Sequence, residues 1–270
     1  MAFFKDVGIG AGMFFKTFKF ISKHKMWGYF VFPVIVSLLF GFAMFYLKAS
    51  ISAYLTENIN DWVGLGQDTD SWFLNFLKGT LEFLVVFLVW LLTTLLLFKI
   101  NKYIVFILLS PILAFVSEKT EKAITGNDYP FVFSQFLSDI MRGVLIALRN
   151  ILIELFLTII ALPINFIPVI GTIVYTGWVW GVSWYFYGYG LMDYTNERRR
   201  LSVRESNISI NSMRGVAIGI GLIFSLIFWI PILGFIFAPI LGAVAATMAM
   251  HEKIDLNNSE FARKAVEVTS

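Results

Sequence analysis

An all-α integral membrane fold, two long transmembrane helices plus two Pro/Gly-tipped, half-penetrating helical hairpins, follows from three observations on the 270-residue sequence. Hydrophobic residues make up 58% of it, charged residues only 14%, and 29 are Phe. No soluble domain of this length hides so much apolar surface. Apolar runs long enough to cross a bilayer recur along the chain. Two later runs are broken by charge-free turns with two prolines each, Leu162-Pro163-Ile164-Asn165-Phe166-Ile167-Pro168-Val169-Ile170-Gly171 and Ile230-Pro231-Ile232-Leu233-Gly234-Phe235-Ile236-Phe237-Ala238-Pro239. Proline removes an N–H and clashes with the preceding turn. A turn emerging into water between spans would be polar, so these turns are expected to stay inside the membrane protein.

The expected organisation is a single membrane domain over 1–250 and a cytoplasmic tail over 251–270. Residues 3–23 form an amphipathic, interfacial helix: at 100° per residue Lys5, Lys16, Lys19 and Lys23 fall within about 60° of one another, opposite Phe3, Phe4, Val7, Phe14, Phe15, Phe18 and Ile21. The start is not a cleavable signal peptide, since its apolar stretch begins late and lacks a small-residue cleavage site. Met26 to Leu47 is charge-free and about 33 Å long as a helix, which makes it span 1, kinked at Pro33. A loop with Glu57, Asp61, Asp68 and Asp70 follows, with Trp62 and Trp72 suited to the membrane–water interface. Span 2, 72–116, would be about 67 Å long, twice a bilayer. Its lower half must be covered by protein, another subunit for instance, or bend at Pro111.

Hairpin 1 covers 144–192 and hairpin 2 covers 216–250. Arm lengths in hairpin 2 of about 22 and 16 Å fall short of a full crossing. Basic residues set the orientation. Five Lys lie in the first 25 residues, five Lys/Arg in 99–143, five Arg in 193–215 and three in the tail, against two in 48–82. All basic segments share the cytoplasmic side if each later apolar run goes in and returns, which also puts both termini there. Four fully crossing arms satisfy the count equally.

The lipid bilayer is the first partner this reading implies. Cysteine is absent and the two His are far apart in sequence, which disfavours disulfides, thiol catalysis and a His-rich metal site. With no G-x-S-x-G, H-E-x-x-H or P-loop, an enzyme is the weakest class, and no cofactor, metal or nucleic acid is expected. Chemistry is instead expected at the tips, through Pro163, Asn165, Pro168, Gly171, Pro231, Gly234, Pro239 and Gly242. There new helices start, near Val169 and Ile240, with free N–H groups and partial positive charge, the anion-site logic of transporters with broken helices. Equally, these Pro and Gly residues simply make the turns. Arg149 and Glu154 are charges within a hairpin arm, functional by default unless they pair structurally. The spacings Gly177-xxx-Gly181 and Gly215-xxx-Gly219 permit close helix approach. Arg198-Arg199-Arg200 reads as a topology determinant in contact with headgroups.

Several ordered marks carry a family resemblance: His24 to Pro33 leading into span 1, Ser110-Pro111 followed by Glu118 and Glu121, then Phe166-Ile167-Pro168-Val169-Ile170-Gly171, Asp193-Tyr194, and Pro231 and Pro239 with Gly242, Ala243 and Thr247. In these the chain resembles the CysZ family of bacterial sulfate permeases, part of a wider family named after an etoposide-induced protein. The resemblance implies half-penetrating hairpins, homo-oligomeric assembly, and passage of sulfate or another small inorganic anion through the bacterial inner (plasma) membrane. It places the anion-binding element just before span 1, at Lys23, His24, Lys25, Trp27 and Gly28. The family carries a pair of arginines there, whereas this chain reads Lys25-Met26-Trp27-Gly28, without the guanidinium forks that clasp a tetrahedral oxyanion. With no nucleotide-binding domain, transport would be passive or ion-coupled. The alternative is a non-transporting membrane-shaping or scaffold protein whose hairpins wedge into one leaflet.

Overall fold

The computed structural model describes residues 2–63, 71–126, 133–168, 170–230 and 233–256. All regular structure among them is helical: α1 (Ala2–Lys23), α2 (Val31–Val63), α3 (Trp72–Thr125), α4 (Phe133–Ala161), α5 (Gly171–Arg198), α6 (Val203–Ser212), α7 (Arg214–Phe228) and α8 (Leu233–Lys253), with 3-10 turns at Met26–Phe30 and Leu162–Phe166. Four stretches are long and apolar enough to cross a membrane: Met26–Ile51, Trp72–Leu91, Met141–Phe166 and Leu233–Lys253. The chain is an all-α integral membrane protein.

Two compact units divide it, one of residues 1–36 and 105–270, the other of 37–104. The smaller unit is carried by α2, which continues as helix past Lys48 to Val63 and so takes in Glu57 and Asp61 of the expected loop, and by α3; Asp68 and Asp70 lie outside the described residues. Inside it the Lys48 Nζ lies 4.3 Å from the centre of the Trp90 ring, a cation–π contact. Leu38, Leu39, Phe42, Phe45, Phe83 and Leu88 are exposed, as side chains facing lipid tails would be.

In the larger unit hairpin 2 is the centre. Its arms α7 and α8 pack on each other, on α5 and on α1. Glycine makes these approaches possible, because a missing Cβ lets backbones touch. A Cβ on Gly221 would stand 1.7 Å from the Trp184 carbonyl oxygen, one on Gly188 1.9 Å from that of Ala217, and one on Gly219 2.1 Å from that of Val7. Such contacts give directions: α5 runs antiparallel to α7, and α1, whose Phe3 and Val7 meet Gly215 and Gly219 in turn, runs parallel to it. α1 therefore does more than lie at a surface. Met13, Phe14, Thr17 and Ile21 turn into the core, while Phe4, Phe15 and Phe18 remain exposed.

Local signals fix several boundaries. Lys25 (φ 54°) sits in the left-handed region that ends a helix. α6 starts on a capping box, with Ser202 Oγ accepting from the Glu205 N–H and the Glu205 carboxylate accepting from the Ser202 N–H. α6 and α7 then meet at 87°. The long α3 continues through Pro111 as helix. Its lower part is covered by the chain itself, without recourse to another subunit: Leu109, Leu113, Val116, Ser117, Thr120 and Glu121 are all buried.

Candidate functional site

Both hairpin tips are closed by their own backbone. At the first, the N–H of Ile167 donates to the Ile164 carbonyl (3.1 Å), that of Ile170 to Pro168 (2.7 Å) and that of Gly171 to Ile167 (3.0 Å). These bonds answer the cost of unsatisfied peptide groups in a charge-free turn. A Cβ on Gly171 would meet the Ile164 carbonyl oxygen at 2.1 Å, so glycine is needed where α5 begins. Pro163, Asn165 and Pro168 are exposed on the tip. At the second tip the Gly234 N–H donates to Ile230 (2.7 Å), and a Cβ there would sit 2.5 Å from the carbonyl oxygens of Ile227 and Phe228. Pro231, like Val169, lies outside the described residues. The helix after this tip starts at Leu233, earlier than Ile240, because Pro239 is accommodated inside α8. Pro239 and Gly242 are thus buried arm residues. Gly242 faces Leu191 and Phe224.

The turn before span 1 stands beside this second tip. Met26 is buried, and the Phe30 ring packs on Phe237 of α8 with centroids 5.2 Å apart. Lys23, Lys25, Trp27 and Gly28 are exposed; His24 lies against Phe20, and Trp27 Nε1 donates to Ser22 Oγ (3.3 Å). Below it, Lys5, Lys16, Lys19 and Lys23 are exposed along α1, a file about 27 Å long. Gly8 and Gly12 fall on the same face and have nothing within 4 Å of a built Cβ. A cationic, small-residue face of α1, turned away from its buried Met13, Phe14, Thr17 and Ile21, therefore runs alongside hairpin 2 to its tip.

The two arm charges of hairpin 1 find partners on other helices. Glu154 is buried and accepts from Ser183 Oγ of α5 (2.7 Å). Arg149 donates to Tyr189 Oη and to Asn207 Oδ1, both at 3.3 Å. These partners are neutral, and Arg149 makes no ion pair among the described residues. It borders a cavity of about 510 Å³ between α4, α5 and α6.

Sequence reasoning did not find the polar cluster at the base of the hairpins. Glu121 of α3 is fully buried and takes Arg199 at 2.5 Å, Arg198 at 3.0 Å and His251 of α8 at 3.5 Å. Arg198 and Arg199 therefore point inward, in place of the headgroup contact expected of them; Arg199 is only 1% exposed. Burial alone would raise the Glu121 carboxyl. The His251 hydrogen bond and the Arg198 and Arg199 charges outweigh it and hold the group at about 2. Beside it Arg142 clasps Asp193 with two bonds of 3.0 and 3.1 Å, and Asp193 also accepts from Ser206 Oγ. Ser117, Thr195 and Thr247 join α3, α5 and α8 through hydroxyls 2.7 to 3.4 Å apart. One signal was present: Asp193, Asn196 and Glu197 at helical spacing just after an apolar arm, with basic partners elsewhere.

The family described as sulfate transporter CysZ/etoposide-induced protein 2.4 matches residues 13–239. No curated protein matches the chain.

Proposed function

The chain belongs to the sulfate transporter CysZ/etoposide-induced protein 2.4 family, and from that premise we propose that it is a permease or channel of the bacterial inner membrane for a small inorganic anion such as sulfate. Both termini are on the cytoplasmic side and the assembly is homo-oligomeric. The observation that carries this reading is the lysine file on α1. Charged side chains at membrane depth face a bundle interior or a water-filled path. Here the cations stand on a helix parallel to α7 and end at Lys23, His24 and Lys25 beside the second tip. A path along that file, between the second tip and the turn, would draw anions in and neutralise their charge on the way. No catalytic step is involved.

A second reading, a non-transporting membrane-shaping or scaffold protein, draws on the turn itself. Its lysines are point charges, without the planar fork that binds an oxyanion bidentately. Sulfate flux into proteoliposomes separates the two. The permease gives flux above empty vesicles that falls severalfold in a Lys23→Gln/Lys25→Gln double variant, and again in Lys16→Gln/Lys19→Gln. Absence of flux for sulfate, phosphate and chloride alike would sink it.

A further inference from the structure

The cavity beside Arg149 has a polarity gradient. α4 and α5 are antiparallel, as the pairs Arg149–Tyr189, Glu154–Ser183 and Leu157–Trp178 show. Toward the base of the hairpin the cavity is lined by Arg149, Asn150, Tyr189 and, from α6, Asn207 and Asn211. Toward the tip it is lined by Ile153, Leu157, Gly177, Trp178 and Gly181. Polar and apolar ends are thus separated by about 12 Å along α4, from Arg149 to Leu157, and by about 17 Å along α5, from Tyr189 to Trp178. The volume is several times that of a bare oxyanion and falls in the range of small-molecule sites.

Asn150 lines this cavity, is 2% exposed, and leaves its side-chain Oδ1 without a hydrogen-bond partner. A buried polar atom left alone is costly, and the amide gains by finding a partner. Turned about its Cβ–Cγ bond, the amide presents an acceptor to a hydroxyl in the cavity. Arg149, which among the described residues bonds to neutral oxygens, supplies the cation. The apolar end lies toward the tip, where Phe156, Ile160 and Ile173 are exposed on the two arms.

We propose that this cavity is a binding site for an anionic, hydroxyl-bearing glycerophospholipid. The phosphodiester lies on Arg149, a headgroup hydroxyl donates to Asn150, and the upper acyl chain follows Ile153, Leu157 and the open faces of Gly177 and Gly181. A soluble phosphate ester would leave the apolar end unfilled. Basic pockets between membrane helices on the cytoplasmic side bind headgroups in this way.

Native mass spectrometry of the full chain in detergent tests it, with phosphatidylglycerol and phosphatidylcholine of equal chain length as probes. Phosphatidylglycerol should be retained about fivefold more tightly, the scale of one basic contact, and Arg149→Gln should remove the preference. Phosphatidylmethanol, anionic without a hydroxyl, should bind about fivefold more weakly than phosphatidylglycerol, the scale of one hydrogen bond. Arg149 also holds Tyr189 and Asn207, so its loss could unsettle the fold. Gly181→Leu guards against that: a Cβ there meets nothing within 4 Å, and the side chain should fill the cavity and reduce phosphatidylglycerol binding at least tenfold. Millimolar glycerol 3-phosphate should leave the lipid in place. Equal retention of the two lipids, unchanged binding in Gly181→Leu, or displacement by glycerol 3-phosphate would each overturn the proposal; equal binding of phosphatidylmethanol would overturn the role given to Asn150.

Discussion

Hairpins 1 and 2 share one plan, two apolar arms around a glycine-closed tip, yet the glycine pair spaced by four in each does the opposite of the other. In hairpin 2, Gly215 and Gly219 of α7 are pressed against the Phe3 and Val7 carbonyls of α1. In hairpin 1, Gly177 and Gly181 face open space along a cavity. The first is packed as a core, with Ile240 to Ala246 buried. The second exposes Leu152, Phe156, Ile159 and Trp180 and leaves Arg149 on the wall of the cavity. The same spacing of small residues thus marks close packing in one hairpin and room in the other. What decides is whether a neighbouring helix is present on that face, which no local pattern records.

The sharpest way to break this contrast is at the base the hairpins share. Glu121 receives arginines from the end of α5 and His251 from the end of α8. Glu121→Gln leaves Arg199 buried beside a neutral amide, and should cost about 3–5 kcal/mol, as removal of one buried ion-pair partner does. Thermal unfolding in detergent measures it. Next comes the packing itself. Gly221→Val should destabilise by about 3 kcal/mol or more through forced separation of α5 and α7, whereas Gly181→Val should change stability by less than about 1 kcal/mol. Equal losses would show that the hairpins are packed alike.

Acid sharpens the same point. The folded Glu121 carboxyl is held at about 2 against an ordinary 4.5. Its contribution is therefore complete above about pH 4.5 and is lost as pH falls through about 2, a loss of about 3 kcal/mol in all. Unfolding midpoints between pH 6 and 2 should show this decline in the native chain and its absence in Glu121→Gln. The smallest effect is expected at Gly177→Ala, which should stabilise by about 0.5–1 kcal/mol, because a mid-helix glycine is replaced where the added methyl meets nothing.

Much of this was legible from residue order. Composition and run length identified the membrane helices, and paired prolines identified the turns at Leu162 and Ile230. The gaps have physical causes. The end of the second turn was misplaced because Pro239 was read as a breaker; inside α8 it only removes one backbone donor. Arg198 and Arg199 were read as surface charges because their partner, Glu121, lies more than 70 residues earlier. The stance of α1 was hidden for the same reason, since its lysine face is visible in the sequence and its glycine contacts with α7 are not.

That stance has a consequence for biosynthesis. Gly10 fits against Val216 and Ile220, and Asp6 pairs with Lys253. At about 5–20 residues per second, α1 leaves the ribosome roughly 10–40 s before the helix it must clasp. During that interval its buried face, Phe14 and Ile21 included, can be sheltered only by lipid or by an insertion factor. The larger unit therefore closes late in translation, and its first helix is among the last to find its place.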